Sequence, residues 1–530
     1  MIRRLPFHAS LLLLCATACG RTNRIEGAGT TGDETMPALI GANVPPAPGA
    51  VGPGSSGTPS SGSPASATPG TSGSADSPGA KPQPPKPGAS TPSADGSGDG
   101  GAGPISPAPE VNGPNPSSID GGAGGGGPTP VALMRGPTPA GNGANFPFPQ
   151  NRESSNCTYP TAYDNDHVTA AFQKWKNDTV TSDGAGGHLR VKRPHEPGLE
   201  PNSTVSEGIA YGMVIAVYMN DQNLFDELWK YEQSWLAPSG LMNWYINAAG
   251  DGLGQNPGGE GAASDADADM AWALVMADRQ WGGQGTLSDT YLNYAKDTLG
   301  KIWATEVVDG KLLKPGDSWG GWDTVNISYF TPSYFRVFAT VTENSGWLDV
   351  VTTSYDILEK SLNDSNGNTS NGLVPAWCNS EGQPNAGVWG PDQSAPTHYQ
   401  YDSCRTPFRI ALDYCWSGEA RSLSYVQKTT SFFSGIGVAS IVDGYDLNGT
   451  PHPQQSGGQS AAFIGPAGVG AMHDASARAF LDDAYNAVKG LNLLVGGDYY
   501  EESWTVLSLL MMTGNFLDYT ALEPVTAAAQ

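Results

Sequence analysis

Acidic residues take alternate positions in one short stretch, Ala263 to Trp281, which reads ASDADADMAWALVMADRQW. Asp265, Asp267 and Asp269 stand at its head, and an almost wholly apolar helical run follows. Carboxylates are costly to bury unless they are paired, hydrogen-bonded or used. Calcium is one candidate use. An EF-hand loop begins D-x-D-x-D but needs Gly at its sixth position and Glu at its twelfth. Met270 and Met276 stand there, which excludes it. A capping role stays open, because Ser264 is a good N-cap and the helix dipole favours acids in the first turn. Capping accounts for one or two acids. It accounts less well for the apolar helix behind them, which places this N-terminus at the rim of something buried.

Two other stretches share the form. TVSEGIAYGM puts Ser206 at an N-cap and Glu207 in the first turn of another apolar helix. QYDSCRTPFRIALDY starts a helix at Asp402, with Arg405 one turn on. Each has a plain alternative: a capping acid at Glu207, a local ion pair between Asp402 and Arg405. The chemical alternative is a carboxyl whose pKa is raised by burial, working beside a carboxylate that Arg405 keeps ionised. Glycoside hydrolysis needs such a set, one acid to protonate the leaving oxygen and one carboxylate to attack the sugar or activate water. Trp244, Tyr245, Trp319, Trp322 and Tyr329 lie near expected helix ends. They suit sugar platforms and equally suit a core.

The elements that must position these residues are helices, about a dozen between His167 and Gly514. Gln222–Trp235 carries Leu224, Leu228, Tyr231 and Trp235 on one stripe, with Glu227, Lys230 and Glu232 facing elsewhere. Ser206–Met219, Ser264–Trp281 and Glu501–Gly514 are apolar nearly all round, so they are expected to be covered on every side. Pro332–Val341 and Asp402–Trp416 are further helices. Fully buried helices alternating with half-buried ones predict an all-α fold, an (α/α)6 barrel of six helical hairpins. Long Gly/Asn/Pro-rich connections such as NAAGDGLGQNPGGEG and NSEGQPNAGVWGPDQSAPTHYQ then become loops at one mouth, where long loops are more often functional than idle.

The remainder of the 530-residue chain reads differently. Residues 1–18 form an export signal, with Arg3 and Arg4 ahead of a short apolar run. Ala16-Thr17-Ala18 before Cys19 resembles a lipoprotein cleavage box, so Cys19 is expected to carry a lipid; ordinary cleavage after Ala18 is the alternative. Residues 19–150 are rich in Gly, Pro, Ser and Ala and are expected to form a disordered, extended tether. All 14 Trp and all 20 Tyr lie in 151–530, the single folded domain. The net charge of −25 and the lack of any Lys/Arg cluster exclude a nucleic-acid partner. Cys157, Cys378, Cys404 and Cys415 allow three disulfide pairings outside the cytoplasm. None stands in a C-x-x-C arrangement and His is scarce, so no metal site is expected. An extracytoplasmic monomer, touching the membrane only through Cys19, is the expectation.

SEGIAYGM followed by ASDADADMAWALVMADRQW resembles glycoside hydrolase family 8. YDSCR, Tyr401 to Arg405, is similar to that family's Y-D-x-x-R element. NISYFTPSYFRVF is similar to its N-P-S-Y-F-x-P segment, with Ile327 in place of Pro. The resemblance spans about Tyr163 to Tyr519. It implies an (α/α)6 barrel that cuts β-1,4-linked glycans with inversion and without a cofactor. It also implies Glu207 as general acid, Asp402 as the base that activates water, and Asp265 as a cleft residue that binds the sugar at the cleavage point. Tyr329 and Arg405 match residues beside the attacking water and base, and Trp244 a sugar platform. An endo-acting enzyme on cellulose or mixed-linkage β-glucan is expected. The alternatives are a xylanase or chitosanase of the same fold, or a tethered glycan-binding lipoprotein without catalysis.

Overall fold

The computed structural model describes residues 143–195, 200–255, 258–385, 397–453, 457–491 and 497–524. The export signal, Cys19 and the tether as far as residue 142 lie outside the described residues. The packed chain starts before the expected boundary at Asn151. Phe146 is fully buried and stacks on Tyr519 at 4.3 Å. Its N–H donates to the Gln280 side chain at 2.7 Å, and its carbonyl accepts from the same carboxamide at 2.8 Å.

Twelve α-helices are described: α1 (Asn165–Thr179), α2 (Ser206–Tyr218), α3 (Gln222–Gln233), α4 (Ser264–Gln280), α5 (Tyr291–Thr305) and α6 (Pro332–Val341). The others are α7 (Gly346–Ser361), α8 (Thr406–Ser417), α9 (Ala420–Ile436), α10 (Ala461–Gly470), α11 (Arg478–Leu491) and α12 (Tyr499–Met512). The even-numbered helices touch in sequence and close on themselves. α2 packs on α4, α6 on α8, α8 on α10, α10 on α12, and α12 back on α2. Trp272 of α4 stacks on Tyr334 of α6 at 4.1 Å and completes the ring. The odd-numbered helices lie outside: α3 covers α2, α5 covers α4, α7 covers α6, and α1 covers α12. This arrangement is consistent with the expected (α/α)6 barrel.

Composition decides which helix goes where. α10, AAFIGPAGVG, is buried at every position. A Cβ at Gly468 would sit 2.7 Å from the Ala484 Cβ of α11, so glycine permits that close approach. α3 buries Leu224, Phe225, Leu228 and Trp229 and shows its other face. Glu232 departs from the expectation. It is buried, accepts from the Gln233 carboxamide at 2.6 Å, and burial pushes its pKa up to about 8. Three two-residue antiparallel ribbons trim the helix ends, among them Thr204–Val205 against Tyr245–Ile246. Among the described residues one disulfide forms, Cys157 to Cys415; Cys378 and Cys404 are buried thiols.

The two layers also meet through a pair of acids. Asp267 of α4 faces Glu306, the residue that ends α5, and both are buried. Apart from each other, neither the Glu306 carboxyl oxygens nor Asp267 Oδ2 have a hydrogen-bond partner among the described residues. Burial first, and like charge second, push Asp267 well above the carboxylate range. Burial does the same to Glu306, against a hydrogen bond from Asp267 and the pull of Lys314 and with repulsion from Asp317. A carboxyl whose folded pKa is raised keeps its proton where the unfolded chain has lost it. Its contribution to stability is therefore present at low pH and falls as pH rises above about 4.3. Glu306→Gln is expected to flatten that decline by up to about 1.4 kcal/mol per pH unit. Thermal unfolding from pH 4.5 to 8 reads it directly, and parallel wild-type and variant curves would show that no proton is held there.

Candidate active site

The inner helices α2, α4 and α12 begin at one end of the ring, and their first residues converge there. Ser206 and Ser264 are not the caps the sequence suggested. Each is the first helical residue, Val205 and Ala263 hold the cap positions, and neither helix has a side-chain cap. Backbone contacts replace it: Ser206 N–H donates to Trp244 O at 2.9 Å and Ser264 N–H to Pro315 O at 3.0 Å. The Thr204–Val205 ribbon makes the first of these possible by laying residues 244–246 alongside. Asp402 also differs from expectation. It does not start a helix; α8 begins at Thr406, with Pro407 in its first turn, where proline's fixed φ fits. Asp402 stands in the loop before it.

Arg405 joins these starts. Its guanidinium is 2% exposed. Nη1 donates to Glu207 Oε1, to Asp265 Oδ2 at 2.7 Å and to the Tyr211 hydroxyl at 3.1 Å. Nε donates to Ser328 Oγ at 3.1 Å. Ser328 Oγ in turn donates to the Asp402 carbonyl at 2.6 Å, so one hydroxyl ties the arginine to the Asp402 loop. The plain alternative of a local ion pair between Asp402 and Arg405 does not hold: the guanidinium bridges Glu207 and Asp265. The Asp402 carboxylate accepts from the Trp377 indole at 3.0 Å and the Gln400 carboxamide at 3.1 Å.

The three acids of α4 separate by face. Asp265 and Asp269 are four residues apart and share one side of the helix. Arg405 and Arg409 have the same spacing, and Arg409 grips Asp269 through both nitrogens at 2.8 Å. α4 and α8 are not neighbours in the ring, since α6 lies between them, so these two pairs cross the interior. Thr331, just ahead of α6, accepts from Arg409 at 2.8 Å. Asp267 points the other way, to Glu306. A pairing role therefore holds for Asp269, and only Asp265 reaches the mouth.

Electrostatics distinguish the remaining acids. Glu207 keeps 13% of its side chain exposed. Burial, opposed by Arg405 and reinforced by Asp265, pushes its pKa up to about 7. The hydroxyls of Tyr211 and Tyr499 each donate to it at 2.8 Å and pull it down. Burial likewise raises Asp402, against Arg405, Trp377 and Gln400. Two carboxyls in different surroundings, Glu207 bonded to Arg405 and two tyrosines and Asp402 bonded to Trp377 and Gln400, can divide the roles of acid and base.

Tyr329 lies under Arg405, whose guanidinium carbon is 5.1 Å from the ring centroid, and its edge meets Trp377 at 5.8 Å. Trp244 is 5% exposed, donates its indole N–H to Gly258 O at 3.0 Å and leans on Tyr245. Little of its ring face is open to a sugar in this arrangement. Glu207, Asp265, Asp402, Arg405, Tyr329 and Trp244 thus fall at this end of the ring. Tyr499, Tyr211, Trp377 and Gln400 were missed. Tyr211 had a signal, since it lies four residues after Glu207 on the same helical face. Tyr499 had none, being 292 residues away and ahead of the expected helix start. Part of the loop NSEGQPNAGVWGPDQSAPTHYQ, residues 386–396, lies outside the described residues.

Known proteins resemble this chain in sequence and fold. The sequence pattern of Glycosyl hydrolases family 8 matches residues 146–514. Endoglucanase 2 of Ruminiclostridium josui is 37% identical over 377 residues, covering 70% of this chain and 77% of that protein. Endoglucanase A of Acetivibrio thermocellus is 37% identical over 350 residues, covering 66% and 69%. The apo structure of a beta-1,3-1,4-glucanase from Paenibacillus sp. X4 superposes with a TM-score of 0.62 at 30% identity, covering 70% of this chain and 98% of that one. The chain belongs to glycosyl hydrolases family 8 and is a glycoside hydrolase.

Proposed function

We propose that this enzyme cuts β-1,4-linked glucan, cellulose or mixed-linkage β-glucan, at internal bonds and with inversion. The observation that carries the assignment of roles is the single guanidinium of Arg405, which gathers Glu207 and Asp265 and is tied through Ser328 to Asp402. Glu207 gives its proton to the leaving oxygen as the C1–O bond breaks. Asp402 takes a proton from the water that attacks C1 from the opposite face, and the new hydroxyl carries the inverted configuration. Asp265 holds the sugar at the cleavage point, with Tyr329 and Arg405 framing the water. Trp244 meets a sugar through the edge left uncovered. The names of the relatives support an internal cut on glucan, and the Cys157–Cys415 bond supports an oxidising, extracytoplasmic setting for a chain anchored through Cys19.

Glu207→Gln and Asp402→Asn are each expected to lower kcat on β-glucan by about 10²–10⁴-fold. Because Glu207 must be protonated to act, wild-type activity should fall as pH rises through about 7. Reducing-end release on β-glucan, soluble cellulose, xylan and chitosan identifies the polymer, and NMR of the first product gives the anomer. Full activity in Glu207→Gln, or a retained anomer, would sink the assignment.

Tyr499→Phe removes a donor from Glu207 Oε2. Donors favour the ionised carboxyl, so their loss raises its pKa. The alkaline limb of kcat/KM against pH should move to higher pH, with a plateau only a few-fold lower. A limb that stays in place would reduce Tyr499 to packing.

A further inference from the structure

A groove of about 340 Å³ opens on the outer layer, away from the mouth. It runs between α5 and the turn joining α6 to α7, and Lys296, Gly300, Trp303, Glu343, Asn344 and Trp347 line it. It lies at the C-terminal end of α6, whereas the mouth lies at the N-terminal end, about 15 Å away along ten helical residues. The α5 residues are spaced four and three apart, so one stripe of that helix faces the groove. Gly300 opens its middle: a Cβ built there meets nothing within 4 Å. The Trp303 ring is half-buried and rests 5.2 Å from the ring of Trp347.

Trp347 is 1% exposed, so of the two rings only Trp303 presents area to the groove. Asn344 spends its carboxamide oxygen on Gly346 N–H at 3.0 Å, and its amide nitrogen has no partner among the described residues. Lys296 and Glu343 stand exposed on the rim. An aromatic surface, an unused amide donor and a charged rim suit a ligand with a flat apolar face and hydroxyl oxygens around its edge. A pyranose ring has that form, and the volume falls within the range of small-molecule sites.

We propose that this groove is a second glycan-binding site, taking a distant stretch of the same polymer that the active site cuts. The proposal rests on the glucanase reading for its ligand. Binding at two places along one chain raises local concentration at the cleft, an effect that vanishes for oligosaccharides too short to reach both. Gly300→Leu narrows the groove from a position where an added Cβ meets nothing within 4 Å, and replaces glycine by a better helix former. Trp303→Ala removes the ring.

Both changes are made in the full chain carrying Glu207→Gln, and retardation is measured in gels containing mixed-linkage β-glucan. The same changes in the active enzyme are assayed on a short β-1,4-glucan oligosaccharide. The expected result is polymer affinity about 3–10-fold weaker in both variants, with kcat/KM on the oligosaccharide within about twofold of wild type. Unchanged retardation in Gly300→Leu would overturn the proposal. A parallel loss of oligosaccharide activity would overturn it too, by placing the effect in the cleft or the fold. Failure of the glucanase reading shows separately, as absence of reducing-end release by the unsubstituted enzyme.

Discussion

Arg405 is the constraint on which the site depends. Two carboxyls, Glu207 and Asp265, are brought together in a poorly hydrated ring of helix starts, and like charges there repel strongly. One guanidinium between them makes the juxtaposition tolerable. A buried charge is stable only when paired and hydrogen-bonded, and Arg405 meets both conditions through two acids, Tyr211 and Ser328. Arg409 repeats the arrangement one turn deeper with Asp269 and Thr331. The two arginines reach across the interior from the start of α8 to α4, past α6, so the ring is held by ion pairs between non-neighbouring helices as well as around its circumference by apolar packing.

The alternating acids at the start of α4 follow from helical geometry. Successive alternate residues on a helix turn by about 200°, so Asp265 and Asp269 share a face while Asp267 takes the opposite one. The inner face meets arginines and the outer face meets Glu306. The sequence pattern that resembles a calcium loop is thus three separate interactions that happen to be adjacent. One belongs to the site, one to the interior framework, and one to the junction of the two layers.

Most of the architecture was legible because it rests on local pattern. Pro332–Val341 has the bounds its sequence suggested, and the fully apolar helices α2, α4 and α12 do occupy the inner ring. What could not be read depends on contacts distant in sequence. Ser206 and Ser264 look like caps, yet the neighbouring backbone of Trp244 and Pro315 satisfies those helix starts instead. Asp402 seemed to open a helix because the apolar periodicity runs up to it, whereas Pro407 sets the start. Arg405, three residues from Asp402, pairs with acids 198 and 140 residues away. Glu232 lies on the polar side of its stripe and is nevertheless buried, with Lys301 and Asp297 of α5 near enough to act on its charge. Tyr499, the disulfide partners and the outer groove belong to the same class.

The surroundings of Glu207 contain two opposed influences, and the opposition is useful in the proposed reaction. Burial keeps the proton on Glu207 until a leaving oxygen can take it. Arg405, Tyr211 and Tyr499 all direct donors at its carboxyl, and donors favour the ionised form. They therefore stabilise the state Glu207 reaches only after it has given the proton away. Groups placed in advance for charge that develops during reaction need no reorganisation when it appears. Neither influence alone would serve. Without burial the carboxyl would be ionised before substrate arrived, and without the donors it would hold its proton too tightly to release it. The apolar bodies of α2, α4 and α12 supply the first influence and the tyrosines and arginine at their ends supply the second, which is why the acids stand where fully buried helices begin.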